Sequence, residues 1–161
     1  MAFPGMGENL MRIITLNMRR MKMEYWKDIN EAVTTIHKLF LKNFEDPELS
    51  ESTKKLNQLI VFDYTEDGPG GKVWLDTRNG QLAAGIGEPP GTPDLVMSCS
   101  ADDAHRAWSD KLNAVVAITR KKVRVKGSAT GLLKLAPKAK RTAINYNKLL
   151  TELGMADKIL K

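Results

Sequence analysis

The stretch KVWLDTRNGQLAAGIG, residues 72–87, reads as one local structure. KVWLDT alternates apolar and polar side chains as a strand does. Arg78-Asn79-Gly80 then stops it. Asn and Gly accept the left-handed backbone that a tight reversal needs, and QLAAGIG supplies a small-residue return strand. The spacing therefore predicts an antiparallel hairpin. A sheet that starts this way needs an apolar cover, and the rest of the chain has to supply it.

On the N-terminal side the period changes from two to nearly four. Leu10, Ile14, Met18, Met21, Tyr25, Ile29, Val33, Ile36, Phe40 and Phe44 recur at steps of three and four, which puts them on one helix face. Asp28 with Glu31 three residues later has the form of a capping box, so the stripe splits into two helices, Glu8 to Tyr25 and Ile29 to Phe44. The Asp46-Pro47 turn ends the second. LNQLIVFDYT (56–65) and DLVMSCS (94–100) read as further strands, with EDGPGG and EPPGTP as turns. Ser100 followed by Asp103 marks the start of a short helix. The apolar segment LNAVVAI (112–118) follows it.

RKKVRVKG (120–127) then places five basic side chains in eight positions. Strand alternation sends Val123 and Val125 one way and Lys122, Arg124 and Lys126 the other. After GLLKLA (131–136), Pro137 opens a last helix, Lys138 to Leu153, with Gly154 as its stop. The order is α-α-β-β-β-β-α-β-α. This is an α+β layout in which helices cover one side of a mostly antiparallel sheet.

The chain has 161 residues, 42% of them hydrophobic, which suits one globular domain. Residues 1–27 read as a helical extension and 28–161 as the domain proper. The single cysteine, Cys99, has no partner for an internal disulfide, which points to a reducing compartment. No run of 18 apolar residues occurs, and MAFPGMGENLMRI lacks the build of a signal peptide. The expected location is cytoplasmic.

Charge is distributed unevenly. Residues 117–141 hold nine Lys or Arg and no Asp or Glu, whereas the remainder holds 16 basic and 19 acidic residues. A local cationic zone favours an anionic partner: the phosphate backbone of a nucleic acid, anionic lipid headgroups, or an acidic protein face. Nucleic acid is the weakest of these, because 117–141 contains no aromatic residue for base stacking. Six of the eight methionines fall in the first 23 positions. That helix is expected to pack on the body, to form a homodimer contact, or to cover an apolar ligand. Its Arg12, Arg19, Arg20 and Lys22 leave contact with a membrane surface open.

No catalytic constellation emerges. His37 and His105 are the only histidines, and Cys99 lies beside Met97 in an apolar strand. One Cys and two distant His do not make a metal site. Asp102 and Asp103 sit in a first helical turn, where the helix dipole accounts for them. GPGG and GIGEPPG lack the residues of a phosphate-binding loop. Neither an enzyme nor a cofactor is expected.

DLVMSCSADDAHRAW, KLNAVVAI and RKKVRVKGSATGLLKL, in this order, resemble the sterol carrier protein 2 (SCP-2) family. LKNF, LIVFDYT and KVWLDT agree with it more loosely, so the resemblance covers about residues 28–136. The chain departs from the family pattern in three places. Thr119-Arg120 replaces a common glycine, Asp110-Lys111-Leu112 a Gly-Lys-Leu turn, and Ser128 an acidic residue. The resemblance implies a twisted five-stranded, mostly antiparallel sheet covered by helices. An apolar tunnel between the layers would take a fatty acid, acyl-CoA or sterol-like lipid without covalent chemistry.

The residues expected to line that tunnel are Phe40, Phe44, Trp74, Leu75, Trp108, Leu112, Val116, Ile118, Leu132 and Leu135. Trp74 alternates with Val73 and Leu75, so either it or that pair faces the helices. Arg120, Lys122, Arg124 and Lys126 are expected to meet an anionic headgroup or partner. Two other readings stand beside this one. One is an adaptor that uses the basic zone on nucleic acid or an acidic protein, and the other is an oligomerising domain whose interior is filled by its own side chains.

Overall fold

The computed structural model describes the backbone of residues 6–21 and 23–161 and the side chains of residues 7–14 and 23–161. Met18 and Met21 of the N-terminal stripe lie outside the described side chains. The first helix, α1, runs Met6–Met21 and stops short of Tyr25. Residues 23–27 form a linker instead. The Asp102 carboxylate accepts the Glu24 and Tyr25 amides at 2.8 and 3.1 Å, and Trp26 Nε1 donates to the Ala101 carbonyl at 3.1 Å.

The next helix, α2 (Ile29–Phe44), begins as expected: Asp28 Oδ1 accepts the Glu31 amide at 2.8 Å. Glu31 does not close the reciprocal half of the box on Asp28; its carboxylate takes the Lys27 amide at 3.3 Å. Where only a turn was expected, α3 (Pro47–Lys54) follows. Asp46 caps it by accepting the Glu48 and Leu49 amides, and Pro47 fills the first turn, where a missing N–H costs nothing.

The strands are β1 (Leu59–Asp63), β2 (Lys72–Asp76), β3 (Ala83–Ile86), β4 (Leu95–Ser98) and β5 (Arg124–Gly127). They form one sheet in the order β3-β2-β1-β4-β5. Only the β1–β4 pair is parallel. The hairpin over 72–87 is present as β2 and β3, in register Val73↔Ile86 to Asp76↔Ala83. Its turn is a short 3-10 segment in which Asn79 and Gly80 adopt φ of 57° and 73°. Gly127 ends β5 at φ 98°, where an added Cβ would stand 2.2 Å from the Asp94 carbonyl oxygen. This closure tolerates only glycine.

After β4 come α4 (Ala101–Trp108) and α5 (Ala114–Thr119), capped by Ser100 and Asn113, so LNAVVAI becomes mostly helix. Beyond β5 lie the single turn α6 (Thr130–Leu133), a 3-10 turn containing Pro137, and α7 (Ala139–Glu152).

One face of the sheet carries Ile60, Phe62, Val73, Leu75, Leu95, Met97 and Val125 into the main core. Helix α2 lies over β2 and β3, and α7 packs on α2 and α4. Ala32, Val33, Ile36, Leu39 and Phe40 form the buried stripe of α2 and contribute most of the apolar cover.

Candidate functional site

The expected lining residues separate into three groups. Phe40 and Leu75 are buried in the core, while Phe44, Trp108, Leu112, Ile118 and Leu132 pack against it half-buried. Phe40, Phe62 and Trp108 form an aromatic triangle with ring centroids 5.3–5.5 Å apart, tilted or edge-on.

Trp74 is a correction. Val73 and Leu75 face the helices, so Trp74 points to the opposite face of the sheet. Its indole covers Gly85 of β3, where an added Cβ would fall 2.4 Å from the ring. Val116 is also displaced from the interior: it is 43% exposed on the outer side of α5. Leu135 is half-buried just before the Pro137 turn.

The apolar layer is thus unevenly closed. Under α2 and α7 it is sealed by long helices. Toward α4, α5 and α6 the cover consists of short elements, and Trp108, Leu112, Ile118 and Leu132 keep part of their surface in water. A shallow groove on the outside of α7, lined by Ile144, Thr151 and Ile159 among others, borders none of the expected lining residues.

Basic side chains border this margin in two directions. Arg120, Lys121 and Lys122 are exposed on the turn that joins α5 to β5. Val123 is buried and Val125 half-buried, as the alternation requires. Arg124 and Lys126 therefore emerge on the far face, opposite Ser98 and Val96. Arg124 lies 3.9 Å from Glu66. Two other bases of the cationic stretch are already engaged: Arg141 pairs with Asp46 and Glu48 at 2.8 Å, and Lys138 with Glu48. The Arg141 hydrogen bond holds the Asp46 carboxyl well below the usual carboxylate range.

The titratable groups inside have structural partners. Burial pushes the Cys99 thiol up to about 12, with Asp103, Glu66 and Asp67 adding to it. His105 is fully buried. Its Nε2 donates to the Lys158 carbonyl at 2.8 Å, and its Nδ1 accepts the Tyr146 hydroxyl at 2.7 Å. That arrangement fixes one neutral tautomer, and burial lowers its pKa. His37 reaches the Ala84 carbonyl at 3.2 Å. Sequence reasoning could not find the His105 partners, which lie 41 and 53 residues away.

Residues 37–140 match the SCP-2 sterol transfer family, well over half of the chain. This chain belongs to that family. Hydroxysteroid dehydrogenase-like protein 2 of Bos taurus is 34% identical over 88 residues, which is 54% of this chain and 21% of that protein. The Homo sapiens protein of the same name is 32% identical over 87 residues, again 54% of this chain and 21% of the relative. The chain therefore spans about a fifth of the length of these relatives.

Among solved structures, Sterol Carrier Protein 2 from Yarrowia lipolytica in its apo form aligns with TM-score 0.52 and 23% identity, over 78% of this chain and 96% of that one. The sterol carrier protein domain 2 of Helicoverpa armigera aligns with TM-score 0.55 and 20% identity, over 70% and 88%. At these identities the likeness establishes the SCP-2 fold, which is the fold the sequence resemblance implied. An SCP-2 domain binds or transfers lipid in general terms.

Proposed function

We propose that this SCP-2 protein is a non-catalytic carrier of a long-chain lipid, a fatty acid, acyl-CoA or sterol-like molecule. The apolar part of the ligand lies in a tunnel between sheet and helices and enters beside α4, α5 and α6. The observation that carries this reading is the half-buried strip of Trp108, Leu112, Ile118 and Leu132 beside an acid-free basic turn. Burying roughly seven methylenes there contributes about 5–6 kcal/mol before the costs of binding. Arg120 and Lys122 hold a carboxylate or phosphate headgroup at the margin, and Arg124 and Lys126 raise the positive field from the far face. No chemistry is assigned to the protein. Both nitrogens of His105 are occupied, and the Cys99 thiol stays protonated at neutral pH.

The test is ligand-dependent stability. Delipidated protein should gain about 2.7 kcal/mol when fatty acid or acyl-CoA is present at a hundred times its dissociation constant. Native mass spectrometry of freshly purified protein should show a bound lipid. Leu132→Trp, which fills the margin, should abolish the gain while leaving the free protein folded. A flat melting temperature across fatty acids, acyl-CoAs and sterols, with no co-purified lipid, would refute the carrier reading.

A further inference from the structure

The helix outside the family match carries the most unusual surface of the described residues. On α1, Leu10, Met11, Ile13 and Ile14 are 58, 60, 56 and 40% exposed. At 100° per residue they fall within one arc of about 160°. Glu8, Asn9 and Arg12 occupy the opposite arc. The helix sequence carries Arg12, Arg19 and Arg20 against the single acid Glu8. Sixteen residues make a rod about 24 Å long, and no described helix is long and apolar enough to cross a membrane.

The root of this helix is fixed. Asp102 holds the Glu24 and Tyr25 amides, and Trp26 is pinned to Ala101 at the start of α4. Helix α1 itself packs against the Thr65–Asp67 turn. Glu66 of that turn lies 3.9 Å from Arg124. The apolar helix and the basic edge strand β5 therefore flank one turn.

We propose that α1 is an interfacial helix that lies flat in the surface of an anionic lipid bilayer and brings the β5 edge of the sheet against it. Four aliphatic side chains on one arc supply the buried area, and the surplus of arginine supplies attraction to acidic headgroups. Charge favours lipid over a second copy as the occupant: with the apolar arc buried, the basic residues of the helix meet acidic headgroups, whereas a second copy is equally cationic and supplies no complement. Four exposed aliphatic side chains likewise do not suit nucleic acid, which takes charge and aromatic stacking. The inference stands apart from the carrier reading: a protein that never met a membrane would keep its interior.

Flotation of the full chain with vesicles tests it. The chain should float with phosphatidylcholine vesicles that contain about 30% phosphatidylserine and remain behind with pure phosphatidylcholine. Raising salt from roughly 0.1 to 0.5 M should weaken binding at least tenfold. Ile13→Asp with Ile14→Asp alters exposed positions only, so its melting temperature should stay put while partitioning falls about 100-fold. Arg12→Glu should reduce partitioning roughly tenfold or more. Ligand-induced stabilisation, measured on the same preparations, should be unchanged in both variants. Failure to float with either vesicle, equal binding to both, or undiminished binding of the Asp variant would overturn the proposal. So would a dimer in light scattering that the Asp variant dissolves, since the face would then belong to a second copy.

Discussion

His105 shows how one side chain couples parts of the chain that sequence keeps apart. Its ring joins α4 to Tyr146 on α7 and to Lys158, and Tyr25 and Trp26 pack on it with centroids 4.6 and 5.3 Å away. Burial disfavours the imidazolium, so the folded pKa lies below the ordinary 6.5. Below pH 6.5 the unfolded chain takes up a proton that the folded chain refuses. Stability from this group is thus full above 6.5, falls as pH drops toward the folded pKa, and levels off beneath it. Glu66 and Asp67, raised mainly by burial, act in the opposite sense at lower pH. The His105 contribution is therefore read as a difference: between about pH 7 and 5 the wild type should lose melting temperature faster than His105→Gln. Parallel curves would show that His105 takes up its proton in the folded chain as readily as in the unfolded one. The residue scale was partly legible in the sequence. The Asp28 and Ser100 caps bond within three residues and were foreseen. The orientation of Trp74 was not, because alternation separates two faces without saying which is covered. Both faces of β1 are buried here, so apolarity gives no answer.

Helix α3 and the start of α7 form a pair held by charge. Asp46 accepts from Arg141 and Asn145 while capping α3, and Glu48 meets Lys138 and Arg141. Asp46→Ala should cost about 1–2 kcal/mol, most of it from the lost cap. Arg141 is 46% exposed in its side chain, so a double-mutant cycle of Asp46→Ala with Arg141→Ala should give a coupling below about 1 kcal/mol. Urea denaturation measures both, and a larger coupling would make the ion pair rather than the cap the main support. The signal for α3 stood in the sequence as Asp-Pro-Glu, an N-cap followed by proline and an acid in the first turn. The same Asp46-Pro47 also ends α2, and one reading hid the other. The cationic stretch shows a limit of another kind. A count along the chain cannot reveal that Arg141 and Lys138 are met by acids about 90 residues earlier. The free part of the basic zone is accordingly smaller than it looked. The candidate site itself was legible where alternation governs it, at Val123 and Val125. It was obscure where short helices replaced an apolar run, at Val116.

Across the whole molecule, the boundary between α1 and the body lies at the linker. Removing residues 1–22 takes away a helix whose described side chains are exposed, and should change the melting temperature by no more than a few degrees. Removing residues 1–27 also strips Trp26 from its buried place against His105 and frees the Asp102 carboxylate, and should cost about 3–5 kcal/mol. Thermal unfolding of the two truncations separates these cases, and equal losses would mean that the linker contacts contribute little. The parallel pairing of β1 with β4 has a consequence for how the protein is made. During synthesis, Leu59–Asp63 leaves the ribosome with one partner soon available in β2, but its other edge waits until residues 95–98 have emerged. Until then LIVFD presents an apolar strand with an unclaimed row of amides and carbonyls, the kind of template that recruits strands from neighbouring nascent chains. The delay between those two events is the window in which a chaperone would protect the strand.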